Sequence, residues 1–304
     1  MKSDLAIVIP YYKIDFFKET LDSLAHQTNK NFKVYIGNDA SQNNPEELLS
    51  KYKTDFDFEY FEFNENLGGK SLVNQWHRCI DLAKDEEWLM ILCDDDALSE
   101  NYIEAFYKNF NEINTSNVEV IRYASQVIDE NNNLLSEVVK HPKLENSIDF
   151  FFRKLKGGTR STLSEYVFKR ETVLKIKFKN IPLAWYSDLL GVLEFSHFGT
   201  IYTINEALLK FRLSGINITS KNDDLIIKNE ATFQFYYYLL TIKKNHFNKE
   251  QINVLLDRLE KTFFDNKKNS KHWKMYSKLC FSQFKFLRYF AFINRAFIST
   301  VKKI

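Results

Sequence analysis

The first hundred residues alternate between short apolar runs and segments in which apolar residues recur every three or four positions. Short apolar runs predict β-strands, and the recurring spacing predicts amphipathic helices. Alternation of strands and helices is typical of a parallel sheet with crossover helices. The predicted strands are 5–10, 32–37, 58–63 and 88–93, and the predicted helices are 15–27, 45–51 and 69–83, with Asp15 and Asn44 as N-caps.

The strict alternation ends after a further predicted helix at 99–111. Apolar runs at 118–128 and 134–139 flank the turn sequence 130–133 and predict a hairpin. From residue 223 onward the chain contains no proline or glycine, and long helical patterns dominate. We therefore expect a first domain over residues 1–220, with a boundary near Ser220, and a helical, basic and aromatic region over 221–304.

Composition adds few constraints on function. The 304 residues are 44% apolar, which suits a sizeable core, and the net charge of +2 does not indicate a nucleic-acid partner. The three cysteines are too few for a disulfide framework, so we expect a reducing, cytoplasmic location. The apolar run at 231–242 is too short to span a bilayer. The six histidines show no metal-ligand spacing, and we interpret them as structural.

Three consecutive aspartates, Asp94, Asp95 and Asp96, follow the fourth predicted strand. Like charges this close disfavour one another unless something positive lies between them. A divalent cation such as Mg²⁺ or Mn²⁺ is one explanation, because both prefer hard oxygen ligands. Side chains alternate along an extended chain, so Asp94 and Asp96 are expected on one side and Asp95 on the other. The alternative is a solvated acidic turn that caps the following helix.

Two other polar segments follow predicted strands. Asp39, in the sequence GNDAS, is placed to accept hydrogen bonds from a base or ribose, although such a stretch is also a common turn. In ENLGGKS, Gly68 and Gly69 precede a predicted helix whose amide groups, together with Lys70, could bind a phosphate. The spacing of a Walker motif is absent, so this loop alone is a weak signal.

The order of four segments, IVIPYY, GNDAS, ENLGGKS and WLMILCDDDALSENYI, resembles glycosyltransferase family 2. The resemblance covers roughly residues 4–220 and is strongest over the first 105. It implies a GT-A fold of the α/β class, with a Rossmann-like, mostly parallel sheet flanked by helices, followed here by a helical C-terminal extension. It also implies a nucleotide-binding half over residues 1–105 and an acceptor half over 106–220.

The resemblance carries site roles onto individual residues. Pro10 and Tyr12 are expected at the nucleotide and Asp39 at its base. In all, the expected donor-binding residues are Pro10, Tyr12, Asp39, Asn66, Lys70, Asp94, Asp95, Arg160 and Arg212, and the expected metal ligands are Asp94 and Asp96. Two positions depart from the family pattern, because Lys13 replaces a common Asn and Cys93 replaces the first Asp of the metal motif. We interpret Cys93 as a buried strand-end residue and not as a nucleophile, since nearby carboxylates raise a thiol pKa.

The general base of the family maps to Asp188, in the segment IPLAWYSDLLGVLEFS. An inverting transfer needs a base that removes the proton of the acceptor hydroxyl. Trp185 is expected to stack on the acceptor sugar, and Glu194 is a weaker candidate for the base. The alternative for Asp188 is a carboxylate that is favoured at a helix start by the helix dipole.

Two arginines are candidate phosphate contacts. Arg160, with Ser164, lies in KGGTRSTLSEYVF and could reach donor phosphate or acceptor. Arg212 could close over the diphosphate through charge-assisted hydrogen bonds. Ser214 stands where many relatives carry a histidine, which leaves out one metal or phosphate contact. A surface ion pair is the alternative for each arginine.

The C-terminal region has a distinctive charge. From Lys267 to the end, the chain has ten Lys or Arg residues and no acidic residue. Helical spacing places Lys278, Lys285, Arg288, Arg295 and Lys302 on one face, and an aromatic stripe of Phe286, Phe290, Ile293 and Phe297 on another. A basic, Phe-rich amphipathic helix is typical of binding to an anionic membrane surface. The alternative is a stripe that packs on the catalytic domain, with the basic residues solvated.

Together these features predict a metal-assisted, inverting glycosyltransferase with Mn²⁺ or Mg²⁺ as cofactor. The expected donor is a nucleoside-diphosphate sugar, most plausibly a UDP-sugar, and the expected acceptor is a hydroxyl of a saccharide or lipid-linked saccharide in polysaccharide synthesis. We expect a cytoplasmic protein, peripheral at the inner face of the cell membrane, with no nucleic-acid partner. The alternatives are a nucleotidyltransferase, which normally has a Gly-rich basic loop after the first strand, and a degenerate scaffold that binds a glycan.

Overall fold

The computed structural model describes residues 4–215, 217, 219, 224–266 and 269–301, with the backbone alone at 300 and 301. The strands are β1 (Leu5–Tyr11), β2 (Lys33–Asn38), β3 (Asp57–Glu62), β4 (Trp88–Ile91), β5 (Ala97–Leu98), β6 (Val120–Ile128), β7 (Leu144–Asn146), β8 (Tyr166–Lys169) and β9 (Thr200–Arg212). The helices are α1 (Phe17–Ala25), α2 (Glu46–Ser50), α3 (Leu72–Ile80), α4 (Tyr102–Thr115), α5 (Ser147–Leu155), α6 (Arg170–Ile176), α7 (Ser187–Phe195), α8 (Leu225–Thr241), α9 (Lys249–Asp265), α10 (Ser270–Ser282) and α11 (Phe286–Val301).

All described strands belong to one sheet in the order β3-β2-β1-β4-β8-β6-β9-β5, with β7 paired to β9. The neighbours of β1 are parallel to it, and β2 and β3 are also parallel, as the early alternation predicted. Beyond β4 the sheet is mixed, since β8 runs antiparallel to both β4 and β6, whereas β6 and β9 are parallel. The carboxyl ends of β1, β2 and β4 therefore share one edge of the sheet.

The core of this sheet is built from the apolar runs that predicted the strands. Residues of β1, β2 and β4 are almost fully buried, and helices α1 and α4 pack against them through apolar side chains. The rings of Tyr102 and Tyr123 stack with their centroids 3.6 Å apart inside this core. Continuous burial on both faces explains why these strands are apolar runs and not alternating sequences.

Several local predictions need correction. Asp15 does not cap α1, whose N-cap is Phe16 without a side-chain bond, and the N-cap of α2 is Pro45. Asn44 nevertheless accepts a hydrogen bond from the backbone N–H of Glu46 at 2.8 Å. The hairpin predicted at 118–139 exists only as isolated bridges from β6 to Leu134 and Val139, because β8 and β9 occupy the two edges of β6.

The chain divides into two compact units. The first comprises residues 1–180 and 187–221, and the second comprises residues 181–186 and 222–304. The boundary predicted near Ser220 lies outside the described residues, and it stays a prediction. In the second unit, α8 to α11 pack through buried aromatic and aliphatic side chains such as Phe233, Phe263 and Phe292. The aromatic run at 233–238 in α8 contributes Phe233, Phe235 and Tyr236 to this core.

The basic tail differs from its prediction. The basic residues predicted to share one helical face lie on two helices, because the chain turns between α10 and α11, where Phe284 has a φ of 55°. Arg288 and Arg295 both form ion pairs with the buried Glu260 of α9. Lys302 lies outside the described residues. Phe286, Phe290 and Phe297 are exposed, and Phe292 occupies the buried face of α11 instead.

Candidate active site

The acidic segment forms a turn at the carboxyl end of β4. The backbone N–H of Asp96 donates to the carbonyl oxygen of Cys93 at 3.3 Å, so residues 93–96 are not extended. The alternation predicted for the three aspartates is therefore wrong. Asp94 turns towards β1, where its Oδ2 accepts hydrogen bonds from the backbone N–H groups of Tyr12 and Lys13, both at 2.8 Å.

Asp95 and Asp96, together with Cys93, place ligand atoms within 4.8 Å of one another. Asp96 is fully buried; its Oδ1 accepts the backbone N–H of Arg212 at 3.0 Å, and its Oδ2 has no hydrogen-bond partner among the described residues. A buried carboxylate oxygen without a donor is costly, and a cation would satisfy it. Asp95 is thus the neighbour of Asp96 in this group, whereas Asp94 contacts Tyr12 and Lys13; the ligand pair Asp94 and Asp96 stays a prediction.

The pKa values of the carboxyl groups in this turn are raised, because the groups are buried close to one another. Burial raises the pKa of Asp96 to about 6, against the opposing effects of the nearby Ser164 hydroxyl and of the hydrogen bond from the Arg212 backbone N–H. Burial and the charges of Asp96 and Asp94 raise the pKa of Asp95 well above its ordinary value. Burial and the same carboxylates also raise the pKa of the Cys93 thiol, which agrees with the view that Cys93 is not a nucleophile.

Arg212 holds the acidic turn from the side of β9. Its Nε donates to the carbonyl oxygen of Asp95 at 2.8 Å, Nη1 to the carbonyl oxygen of Asp129 at 2.9 Å, and Nη2 to Asn132 Oδ1 at 2.9 Å. The guanidinium also lies 4.6 Å from the centroid of the Phe16 ring, and the residue is fully buried. Each guanidinium nitrogen of Arg212 thus already has one acceptor within the protein, and its predicted role as a phosphate clamp stays a prediction.

Asp39 organises the loop that follows β3. Its Oδ1 accepts a hydrogen bond from the backbone N–H of Leu67 at 2.7 Å and forms an ion pair with Arg78. Its Oδ2 accepts a hydrogen bond from the backbone N–H of Gly68 at 2.9 Å. A Cβ atom at Gly68 would lie 2.5 Å from Asp39 Oδ2, so only glycine permits this approach. The guanidinium of Arg78 in turn lies 3.9 Å from the centroid of the Phe63 ring.

The other residues expected at the donor lie on the same edge of the sheet. Pro10 pairs with Gly37 in the ladder between β1 and β2, and the Tyr12 side chain is 42% exposed beyond that ladder. Asn66 Oδ1 accepts the N–H of Gly69 at 2.6 Å. Lys70 is exposed and forms an ion pair with Glu65 at 3.0 Å. Its ammonium group is thus accessible to an anion.

The chain matches the family described as Glycosyl transferase family 2 over residues 6–168. It belongs to that family. The match contains all four segments that suggested the resemblance, and it makes the chain a glycosyltransferase. No curated protein sequence matches this family 2 glycosyltransferase significantly.

Solved structures show the same fold at low sequence identity. The S. aureus TarS fragment 1–349 in complex with UDP-GlcNAc superposes with a TM-score of 0.63 and 13% identity, over 88% of this chain and 73% of that chain. The same fragment in complex with UDP gives a TM-score of 0.60 and 14% identity, over 88% and 74%. GalNAc-T7 with UDP, GalNAc and Mn²⁺ gives a TM-score of 0.50 and 10% identity, over 89% and 57%. The predicted GT-A fold is confirmed.

Arg160 of this glycosyltransferase lies between the acidic turn and a buried glutamate. Its side chain is partly buried over the Phe211 ring at 4.5 Å, and its Nη1 has no hydrogen-bond partner among the described residues. Burial lowers the pKa of Arg160, whereas the charges of Glu165 and Asp96 raise it. Arg160 is therefore placed beside the turn, with Nη1 lacking a hydrogen-bond partner among the described residues, and its contact with donor phosphate or acceptor stays a prediction.

The structure locates Asp188 and Trp185 in different units of the glycosyltransferase. Asp188 lies in the first turn of α7, where burial raises its pKa and Lys154 is the opposing charge. Its catalytic role stays a prediction. Trp185 belongs to the second unit, where Lys228 Nζ lies 5.0 Å from the centroid of its ring.

Three residues of the site carried no assigned role in the sequence, or only a vague one. Arg78 pairs with Asp39, and Ser164 Oγ accepts the backbone N–H of Cys93 at 3.1 Å. Glu165, the next residue, is fully buried, and burial raises its pKa to about 7 against the charges of Arg122 and Arg160. The signal for Arg78 and Glu165 was weak, because a lone charged residue in a helix or short strand usually lies at the surface.

Proposed function

We propose that this family 2 protein transfers a sugar, with inversion, from a UDP-sugar to a hydroxyl of a saccharide or lipid-linked saccharide acceptor. The observation that carries the proposal is the buried, unpaired Oδ2 of Asp96 beside Asp95, at the carboxyl end of β4. Ligands of open α/β sheets bind at this edge. The similar folds of TarS in complex with UDP and with UDP-GlcNAc support a UDP-sugar donor.

Asp95 and Asp96 would hold the divalent cation. Their carboxylate oxygens suit Mg²⁺ or Mn²⁺, and substrate phosphates commonly complete the shell of such an ion. GalNAc-T7, a protein of similar fold, is known with Mn²⁺. A bound cation would offset the negative charge of the departing nucleoside diphosphate.

The residues around the turn would bind the nucleotide. Tyr12 is exposed next to Asp94, and its backbone N–H is held by that carboxylate. Asp39 directly follows β2, which is adjacent to β1, and it orders the loop after β3, so that Asp39 and this loop would bind the base and ribose. Lys70 and Arg160 supply positive charge for the diphosphate, since Lys70 is exposed and Arg160 retains an unpaired Nη1.

Asp188 would act as the general base. In a single displacement, the acceptor oxygen forms a bond to the anomeric carbon while the bond from that carbon to the diphosphate breaks, and the hydroxyl proton moves to the base. Burial raises the pKa of Asp188, which makes its carboxylate a better proton acceptor than an exposed aspartate. Trp185 would offer an aromatic face to the acceptor sugar.

Calorimetric titration with UDP and with GDP, each with Mn²⁺ and with excess EDTA, tests the donor site. We expect Mn²⁺-dependent binding of UDP, which Asp96→Asn abolishes and Asp55→Asn, a change of an exposed acid in the same unit, leaves intact. Absence of binding of either nucleotide with or without Mn²⁺ would favour the degenerate scaffold. The nucleotidyltransferase alternative is inconsistent with membership of the family.

Single-turnover hydrolysis or transfer from UDP-sugars tests the base. Asp188→Asn should lower the rate by about 10²–10⁴-fold while UDP binding is retained, because the proton acceptor is lost and the nucleotide site is not. Normal turnover of this variant would reject the assignment of Asp188.

We further propose that the second unit docks on an anionic membrane surface, at the inner face of the cell membrane. None of the described helices is long and apolar enough to cross a bilayer. Helix α11 has apolar residues on two faces, and the face opposite the buried Phe292 is exposed. This exposed apolar face comprises Phe286, Leu287, Phe290, Phe297 and Ile298, with Phe284 at 82% and Leu287 at 88% exposure at its start.

Charge indicates which surface would cover this face. On α10, Lys271, Lys274 and Lys278 share an exposed helical face, and acidic residues are absent from Lys267 onward. Exposed apolar patches of this extent mark interaction sites, and a neighbouring cationic face favours anionic lipid. The basic residues of this proposal differ from those of the sequence prediction, because Arg288 and Arg295 pair with Glu260.

Co-sedimentation with phosphatidylglycerol and phosphatidylcholine vesicles tests the docking. We expect binding to the anionic vesicles, which Leu287→Ser with Phe290→Ser abolishes and which Ile226→Ser, a change of an exposed apolar residue of α8, leaves intact. Equal binding by all three proteins would show that this face of α11 is not the docking surface. A concentration-dependent dimer that the double variant abolishes, without vesicle binding, would assign the face to a second copy of this chain.

A further inference from the structure

Cys93 introduces a soft ligand atom into the proposed cation site. It stands at the first position of the acidic motif, where the family pattern commonly has Asp. The structure brings its Sγ within 4.8 Å of ligand oxygens of both Asp95 and Asp96. The backbone N–H of Cys93 is fixed by Ser164 Oγ at 3.1 Å, so the position of this residue is determined by the fold.

A second observation indicates that these atoms surround a cation. Asp96 Oδ2 is buried without a hydrogen-bond partner among the described residues, whereas its Oδ1 is held by the backbone of Arg212. One metal ion with bonds of about 2.0–2.3 Å can join ligand atoms up to about 4.5 Å apart. The observed spacing is within a small side-chain adjustment of that span.

We propose that the Cys93 thiolate is a third protein ligand of the divalent cation, so that the site prefers thiophilic ions such as Co²⁺ and Cd²⁺ to Mg²⁺. The inference rests on the proposed metal-assisted function. As the sulfur–metal bond forms, the thiol proton leaves to solvent. Thiolate ligands select softer ions, whereas a site of carboxylates alone suits Mg²⁺.

The other cysteines lack this environment. Cys79 packs under β2, where its Sγ would lie 2.4 Å from a Cβ at Gly37, and it is fully buried. Cys280 is buried in the second unit beside Tyr276. Neither of them belongs to the group of metal-ligating atoms found among the described residues. Cys280→Ala is therefore a matched control that removes a thiol outside the site.

Absorption spectroscopy with Co²⁺ tests the inference directly, because a thiolate ligand produces a sulfur-to-cobalt charge-transfer band in the near ultraviolet. Full-length protein would be titrated with Co²⁺ in the presence of UDP. We expect the band in the wild type and in Cys280→Ala, and its loss in Cys93→Ser and Cys93→Asp. Thermal unfolding of each apoprotein establishes that the variants are folded.

Calorimetry with Cd²⁺ and Mg²⁺ gives a second readout. Loss of even an outer-shell partner costs about 10–100-fold in metal affinity, so Cys93→Ser should weaken Cd²⁺ binding by at least about tenfold. The same change should affect Mg²⁺ little, and Cys93→Asp should strengthen Mg²⁺ binding relative to Cd²⁺.

The outcomes separate this inference from the proposed function. Binding of Co²⁺ or Cd²⁺ without a charge-transfer band, and with unchanged affinity in Cys93→Ser, would overturn the role of Cys93 and leave the carboxylate site standing. Absence of binding of any divalent ion, with UDP present, would overturn metal assistance itself.

Discussion

Two single carboxylates, those of Asp39 and Asp94, hold loops of this site in place through hydrogen bonds to the backbone. Asp39 joins β2 to the loop after β3 through two backbone N–H groups and Arg78. Asp94 joins β4 to the end of β1 in the same way. Each carboxylate satisfies amide donors that a short loop leaves unpaired, and charge-assisted bonds of this kind are stronger than neutral ones.

Removal of the Asp39 carboxylate should destabilise the first unit. Asp39→Ala leaves Arg78 and two amide groups without their acceptor, and loss of one partner of a buried ion pair costs about 3–5 kcal/mol. Urea denaturation measures this change in the free energy of unfolding. Glu65→Ala removes the exposed pair with Lys70 in the same loop and should change stability little. Equal effects of the two substitutions would contradict the structural role of Asp39.

Glu165 should make stability depend on pH. Because burial raises its pKa in the folded state to about 7, above its ordinary value, its contribution to stability is complete below pH 4.5 and is lost as pH rises through 7. Glu165→Gln removes this dependence. The stability of the wild type relative to the variant should fall by up to about 3 kcal/mol between pH 4.5 and 7.5. Parallel stability curves from chemical denaturation at several pH values would contradict a raised pKa.

At the scale of elements, contacts between residues distant in sequence decide which side chains of a helix or turn are exposed. The acidic turn is held between β1 on one side and β9 on the other, by Asp94 and Arg212. Helix α11 packs on α9 through Phe292 and through arginines that contact Glu260. These pairs direct both arginines towards Glu260 and leave apolar side chains on the exposed side of α11.

The attachment of α11 should depend on Glu260 and not on its exposed neighbour. Glu260 is 3% exposed and binds Arg288, Arg295 and the Tyr276 hydroxyl, so Glu260→Ala should cost about 3–5 kcal/mol. Asp257 pairs with the same Arg288 but is 66% exposed, and Asp257→Ala should have little effect. Thermal unfolding and proteolysis of the tail distinguish the two variants. A larger loss in Asp257→Ala would contradict this assignment.

At the scale of the whole molecule, the chain is two compact units, and the proposed donor site lies in the first. The acidic turn, Asp188 and the loop ordered by Asp39 all belong to that unit. Ligand that binds only the folded state stabilises it by mass action. The nucleotide should therefore protect the first unit from unfolding.

UDP with Mn²⁺ should raise the melting temperature of this unit. At about 100 times the dissociation constant, the stabilisation is about 2.7 kcal/mol. Differential scanning calorimetry with UDP and Mn²⁺, with UDP and EDTA, and with Mn²⁺ alone measures the shift. Asp96→Asn should abolish it. A shift that persists in EDTA would show that the nucleotide binds without a cation.

Much of the fold could be predicted from hydrophobic periodicity. The apolar runs of β1, β2 and β4 are buried on both faces, and β3 is a partly exposed edge strand; their pattern located four parallel strands and the polar loops at their ends. The mixed half of the sheet was not predicted, because β8 and β9 pair with strands distant in sequence. Periodicity reports how a segment is buried but carries no information about its partner.

By itself, the sequence determined the fold class, the family segments and the group of residues that meet at the acidic turn. Only the tertiary structure decided which partners each of these side chains contacts. Arg212 lies 116 residues from Asp96, and the fold brings its backbone N–H to the Asp96 carboxylate. The turn at 93–96 pairs Asp95 with Asp96 and brings Cys93 beside them. Strand alternation predicted another pair because a turn changes side-chain direction in a way that local residue types do not reveal.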